Sequence, residues 1–324
     1  MRAIICEEFG TPDLLKLREI PAPEPGAGQV RMRVRAAGVN FPDSLVIANR
    51  YQHKLVPPFV PGMEAAGVVD AVGANVTGFK LGDHVAAFGR GAFAEQMVVD
   101  ASRSVLLPDT VSFESAAGLT VTYGTTIYAL RSRGLLRPGE TLLVLGAGGG
   151  VGTAAVELGK LLGARVIAAA SSPEKLAVAA RCGADDLIDY RSQNLREALR
   201  AATEGKGVDV VYDPVGGDLS EAAFRSLGWN GRLLVVGFAS GTIPALPLNL
   251  ALLKGASVVG VFWDASIEHE PARFRTEIAD LVRWLDQGKI QPRISARYKL
   301  PDTPRAISDL MHGGSTGKLV IEID

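Results

Sequence analysis

The chain is predicted to be an α/β protein, with a doubly wound, parallel six-stranded sheet beside a β-rich, partly closed barrel. Three observations predict this. The first third alternates apolar and polar residues with a period of two, between clusters of Pro and Gly. From about residue 119 the rhythm changes to nearly continuous apolar runs separated by helical stretches. The length, 324 residues, exceeds what one compact core usually holds.

The alternating runs of the first part are QVRMRVRAAGV (29–39), EAAGVVDAV (64–72), HVAAF (84–88) and AEQMVVD (94–100). The strands of the second part are TLLVL (141–145), ARVIAAA (164–170), LID (187–189), VDVVYD (208–213), RLLVVGF (232–238) and SVVGVF (257–262). Strands covered on both faces by helices need no polar side, which is why these runs are apolar throughout. Helices are predicted at GTAAVELGKLLG (152–163) and at PEKLAVAARCG (173–183), the latter opened by Ser-Pro and closed by Gly183. PARFRTEIADLVRWLDQGK (271–289) reads as an amphipathic helix, and GKLVIEI (317–323) as a strand returning to the first domain. The expected division is residues 1–118 with 266–324 for the barrel domain, and 119–265 for the parallel sheet.

Composition excludes several function classes. Apolar residues make up 47% and charged residues 21%, so the chain can bury real cores and is not globally disordered. Thirty-four basic against thirty-five acidic residues leave a net charge of −1, with no electrostatic reason to bind nucleic acid or an anionic membrane. Cys6 and Cys182 are the only cysteines, which argues against a disulfide framework and a cysteine-rich zinc site and suits a reducing cytoplasm. The N-terminal MRAIICEEFG is too short for a secretory h-region, and no window resembles a membrane span. His53, His84, His269 and His312 show no paired ligand spacing.

The strongest chemical signal is LLVLGAGGGVGTAAVELGK (142–160), a strand running into glycines that open a helix. Such a turn aims backbone N–H groups and the positive helix end at one point, where a pyrophosphate sits. The dinucleotide pattern is met from Ala147 through Gly149 and Gly152, with Gly146 offering a second frame and Gly150 and Val151 within the turn. A carboxylate for a ribose 2′-hydroxyl is expected about 20 residues beyond. Ser171 and Ser172 stand there instead, followed by Lys175 in the first helical turn, and Tyr190 follows the next strand. This favours the 2′-phosphate of NADP. Locally, Ser172 also reads as an N-cap, Lys175 as a solvated charge beside Glu174, and Tyr190 as a rim aromatic.

AAGVNFPDS (36–44), PGMEAAGVV (61–69), LGDHVAAF (81–88), GAFAEQ (91–96), GLTVTYGT (118–125) and the glycine loop together resemble the zinc-free quinone oxidoreductases of the medium-chain dehydrogenase/reductase superfamily. The likeness covers essentially the whole chain. It implies a GroES-like barrel domain, a Rossmann sheet, and zinc-independent hydride transfer from NADPH to a quinone. NADPH-dependent reduction of activated C=C bonds, in enones or enoyl and acryloyl thioesters, is the alternative; a nucleotide-binding structural or sensor protein without turnover is the non-enzymic one. Zinc-dependent alcohol dehydrogenases of the superfamily ligate catalytic metal at the positions of Asn40, Met63 and, nearby, Leu119, and an amide, a thioether and an alkyl group do not replace thiolates and imidazole on Zn²⁺.

Glu64 is then left without a metal to serve, and is expected to be a buried acceptor for backbone N–H groups or an arginine. The resemblance implies that Asn40, Asp43 and Tyr51 face the nicotinamide, Asn40 bonding cofactor or substrate, Asp43 orienting and Tyr51 donating to a developing oxyanion. Local reading makes VNFPDS a turn, with Asn40 and Asp43 serving backbone N–H groups. The same resemblance implies that Thr120 lies at the cofactor, and Lys318 is expected near the adenosine phosphate or in solvent. Gly237, Phe238, Phe262 and Trp263 follow strand C-termini, where open sheets bind ligands, with the core as the alternative for the two last. The strand SVVGVF is expected at a sheet edge, paired in a homodimer.

Overall fold

The computed structural model describes every residue, Met1–Asp324, and divides the chain into two compact units, Met1–Val121 with Pro271–Asp324 and Thr122–Glu270.

The first unit is organised by one long strand, Gln29–Val39. Along its length it pairs antiparallel with Glu64–Val72. Its other edge takes two partners in succession: Gln29–Arg33 against Gln96–Asp100, and Ala36–Val39 against Leu319–Glu322. The C-terminal strand Lys318–Glu322 therefore does return to this sheet, as its sequence suggests. His84–Phe88, Ser104–Leu106 and Ile294–Lys299 complete seven strands. Period two decides which face is inside: Val30, Met32 and Val34 are fully buried, while Arg31 is half-buried and Arg33 exposed. Each such apolar side chain contributes about 1.5–3 kcal/mol on burial. Both predicted and unpredicted pieces occur. The hairpin Arg2–Ile5 with Lys16–Glu19, the strand Ile294–Lys299 and the helix Thr303–Met311 were not expected.

The second unit is a six-stranded parallel sheet in the order Asp186–Asp189, Arg165–Ala170, Thr141–Leu145, Val208–Asp213, Leu227–Val235, Ser257–Gly260. The chain winds outward from the central strand 141–145 in one direction, then crosses back and winds outward in the other. That reversal opens a crevice beyond the C-terminal ends of 141–145 and 208–213. Two strands differ from expectation: the fifth runs Leu227–Val235 rather than 232–238, and the sixth stops at Gly260 rather than residue 262. Ser257–Gly260 lies at the sheet edge. No helix is long and apolar enough to cross a membrane.

Candidate active site

In the second unit the crevice is walled by glycine. Gly146 ends the central strand with φ +63°, a left-handed conformation that a side chain would strain. The helix Gly150–Leu161 follows, with Gly149 at its N-cap. Gly150, Val151 and Gly152 supply first-turn amides, which have no intrahelical acceptor and point out of the helix end. A Cβ on Gly152 would sit 2.2 Å from the Gly146 carbonyl oxygen, and one on Gly148 would sit 2.5 Å from Lys175 Cβ. The turn is thus closed against its own backbone on one side and against Lys175 on the other.

Lys175 belongs to the helix Pro173–Arg181, whose N-cap is Ser172; the Lys175 N–H lies 3.4 Å from Ser172 Oγ, and Lys175 Nζ donates to Ser171 Oγ at 3.3 Å. Tyr190 follows the neighbouring strand, its N–H donating to the Ala170 carbonyl at 3.2 Å. Ser171, Lys175 and Tyr190 are therefore gathered beyond one strand pair, and the strand 165–170 ends without a carboxylate. The donor set suits the phosphates of a dinucleotide, including a 2′-phosphate.

On the opposite lip of the crevice, where the sequence places Gly237 and Phe238, sequence reasoning missed the turn that follows Asp213. Asp213 is buried and accepts the N–H groups of Val215 (2.9 Å) and Gly216 (3.0 Å), and its other oxygen takes the Ser220 hydroxyl. This clamps a turn through Gly216 and Gly217, both at positive φ, so that Val215 Cγ2 reaches 3.0 Å from where a Gly146 Cβ would be. The run DPVGG was the available signal. Gly237 and Phe238 stand on the same lip, the Gly237 N–H donating to the Asp213 carbonyl at 3.2 Å. Phe262 is exposed after the edge strand, whereas Trp263 is buried with its ring against Gly124, 2.5 Å from where that residue's Cβ would lie.

The first unit answers what Glu64 does. Its carboxylate is completely inaccessible and holds four donors: Lys318 Nζ at 2.5 Å and Asn40 Nδ2 at 2.9 Å on one oxygen, Thr120 Oγ1 at 2.6 Å and the Val121 N–H at 2.8 Å on the other. It does accept a backbone N–H, but its cation is a lysine rather than an arginine. This corrects the reading of Lys318. The side chain is only 4% exposed and its ammonium is committed to Glu64 and to Asn40 Oδ1 (2.5 Å), so it neither lies in solvent nor reaches for a phosphate. The strand pairing explains why: Val39 faces Leu319 and Gly38 faces Glu64, which sets the three strands side by side. Gly38 is needed there, since a Cβ would lie 2.2 Å from the Ala117 carbonyl and 2.6 Å from Glu64 Oε1.

Asn40 and Asp43 belong to the same cluster. VNFPDS is not a free turn but the start of the helix Phe41–Ile47, with Asn40 at its N-cap. Pro42 fits because the first helical positions need no N–H. Asp43 Oδ2 accepts the Asn40 N–H at 2.7 Å, which is the backbone service the local reading expects. Both N–H groups of the Asn40 amide are used, on Glu64 and, at 3.3 Å, on the Gly38 carbonyl. Thr120 spends its hydroxyl proton on Glu64. Tyr51 stands outside the cluster, half-buried, its ring 6.0 Å from that of His53.

Asp43 carries the one anomaly. It is 1% exposed, and its Oδ1 has no hydrogen-bond partner. Burial pushes its carboxyl up to about 7, with the Glu64 charge adding and the Asn40 N–H and Lys318 charge opposing. The folded protein thus keeps a proton that the unfolded chain, titrating near 4, gives up. The corresponding stability is full below about pH 4 and lost as pH rises through about 7. Asp43→Asn should therefore flatten part of the fall in Tm between pH 5 and pH 8, read by thermal unfolding at both. Equal slopes for wild type and variant would place the titration elsewhere.

Both sheets have counterparts in known proteins. A family model described as alcohol dehydrogenase GroES-like domain matches residues 26–109, and one described as zinc-binding dehydrogenase matches 150–284. The quinone oxidoreductase of Pseudomonas aeruginosa is 37% identical over 315 residues, 97% of each chain. This chain belongs to the quinone oxidoreductase family of the medium-chain dehydrogenase/reductases. A quinone oxidoreductase-like protein 2 homolog of Nematostella vectensis is 38% identical over 324 residues, covering 99% of this chain and 88% of the relative. Among solved structures, Escherichia coli quinone oxidoreductase complexed with NADPH superimposes with a TM-score of 0.93 at 29% identity, over 99% of this chain and 100% of that one. Membership makes the protein an oxidoreductase. The second family description names zinc; no group of three or more His, Cys, Asp or Glu side chains in the structure is placed to hold a metal ion.

Proposed function

We propose that the protein reduces quinones with NADPH and without a metal ion. One observation carries the metal-free reading: the cation facing buried Glu64 is the chain's own Lys318 ammonium, which also holds Asn40. Asn40 stands where zinc-dependent relatives have a ligand, and a Zn²⁺ brought there would meet both a neutral amide and a fixed positive charge.

Bound NADPH supplies the hydride. The remaining work falls to the protein. Gly150, Val151 and Gly152 orient the pyrophosphate through their amides, and Ser171, Lys175 and Tyr190 take the 2′-phosphate. Gly237, Phe238 and Phe262 wall the crevice, while Trp263 packs in the core beneath it. The network of Lys318, Glu64, Asn40 and Thr120 is a rigid cluster within the first unit, and Tyr51 is a further donor of that unit. Asp43, its carboxyl raised to about 7 by burial, holds a proton within the same cluster. A quinone needs little more, since hydride and proton transfer yield an aromatic hydroquinone and no isolated carbonyl has to be polarised. Reduction of enones is the second reading, favoured only so far as Tyr51 or Asp43 protonates a developing enolate.

The exposed Val258 on the edge strand, beside exposed Leu248 and Leu252 on the helix Leu248–Lys254, supports pairing of two copies through that edge. Two cysteines joined by no disulfide support a reducing, cytoplasmic setting.

Lys175→Glu tests the cofactor assignment. The KM for NADPH should rise by about ten- to a hundredfold, the effect of replacing a charge-assisted phosphate contact by a repulsion, while the KM for NADH changes little. An equal rise for both cofactors would remove the 2′-phosphate from Lys175.

A further inference from the structure

At the other end of the parallel sheet, beneath the N-terminal ends of strands 208–213 and 227–235, lies a cavity of about 550 Å³. The glycine loop sits at the strands' C-terminal ends, so the two places are separated by the length of the sheet. Small-molecule sites occupy roughly 300–1,000 Å³. The cations Arg196, Arg200, Lys206, Arg225 and Lys254 line it, against the single acid Glu197. In a chain of net charge −1 this is a local excess of one sign.

Not all of that charge is free. Arg225 is held by Glu221 at 2.6 Å, Lys206 by Glu204 at 3.3 Å, and Lys254 by the Leu227 carbonyl at 2.6 Å. Arg196 and Arg200 have no acid on them. They stand four apart on the helix Leu195–Ala202, hence on one face, where like charges repel unless an anion lies between them.

A second feature shares the cavity. Leu227 pairs with Val208 and Arg232 with Val210, so residues 228–231 bulge opposite Asp209 alone. Asn230 turns the bulge at φ +60°, and Trp229 is left 73% exposed on the cavity wall. An indole held open beside unpaired guanidinium groups is a stacking surface next to an anion site.

We propose that this cavity binds a small phosphorylated ligand with a planar ring, of the nucleoside polyphosphate class, with Arg196 and Arg200 on the phosphates and Trp229 against the base. The site is independent of the cofactor reading.

Calorimetry with ATP, tripolyphosphate and a single-stranded oligonucleotide tests it, using full-length wild type, the double variant Arg196→Glu/Arg200→Glu, Trp229→Ala, and Gly152→Val, whose new Cβ would lie 2.2 Å from the Gly146 carbonyl oxygen, as a control for binding at the glycine loop. ATP should bind wild type and Gly152→Val alike, and should bind about tenfold or more weakly in the double variant. Tripolyphosphate should bind less tightly than ATP, and Trp229→Ala should abolish that preference. No binding to wild type, binding unchanged by the charge reversal, or equal affinity of ATP and tripolyphosphate for wild type would overturn the proposal. Tighter binding of the oligonucleotide than of ATP would overturn it in favour of a nucleic-acid surface.

Discussion

Lys318→Met should cost about 3–5 kcal/mol of stability, the effect of leaving a buried charge without its partner. Glu64 would keep three donors, Asn40 Nδ2, Thr120 Oγ1 and the Val121 N–H, but no positive charge, in a place with no access to water. Asn40 would also lose the ammonium that fixes its carbonyl oxygen, loosening the cap of the helix Phe41–Ile47. The loss is not the worth of the ion pair, because a well-made pair repays little more than its own desolvation. Neutralising both partners together, as in Glu64→Gln/Lys318→Met, should therefore recover a large part of the loss, since the Gln oxygen still accepts from Thr120 and Val121. Denaturant unfolding of the two variants checks this. A single variant within 1 kcal/mol of wild type, or a double variant as damaged as the single, would show that the charge pair is not what makes the site rigid.

Gly152→Val should abolish useful binding of the dinucleotide while leaving the chain folded. The new Cβ would lie 2.2 Å from the Gly146 carbonyl and 2.8 Å from Ala147 Cα, both backbone atoms that no side-chain rotation can move away. The turn must open, and the amides that converge on the pyrophosphate then diverge. Overpacking of this kind costs roughly 1–3 kcal/mol of stability. An NADPH affinity loss of roughly a hundredfold corresponds to about 2.8 kcal/mol, which is within reach when two or three charge-assisted hydrogen bonds are misaligned. Titration of NADPH fluorescence against wild type and variant measures it. Affinity preserved within a factor of about three would mean that the phosphates lie elsewhere.

Much of this architecture is legible in the chain because the signals are local. The run TLLVLGAGGGVG states a buried strand, a turn that only glycine permits and a helix start within a few residues, and Ser172-Pro173 states a cap. Period two places Val30, Met32 and Val34 on one face, and that face is the core. The polar cluster around Glu64 is not legible in that way. Glu64 and Lys318 are 254 positions apart, and nothing near Lys318 distinguishes it from a solvated lysine; only the pairing of its strand with Ala36–Val39 brings the two together. VNFPDS looks like a turn because Pro42 and Asp43 serve turns and helix N-termini equally well, and the choice is made by packing. The strand ISARYK was missed because it mixes charges into its alternation, and residues 228–231 because a bulge has no period at all.

Metal-free hydride transfer is read most directly by the rate of NADPH oxidation with 1,4-benzoquinone, before and after exhaustive dialysis against a zinc chelator. With Lys318 filling the cation's place beside Glu64 and Asn40, the rate should be the same in both samples and indifferent to added Zn²⁺. Activity lost on dialysis and restored by one equivalent of Zn²⁺ would contradict it.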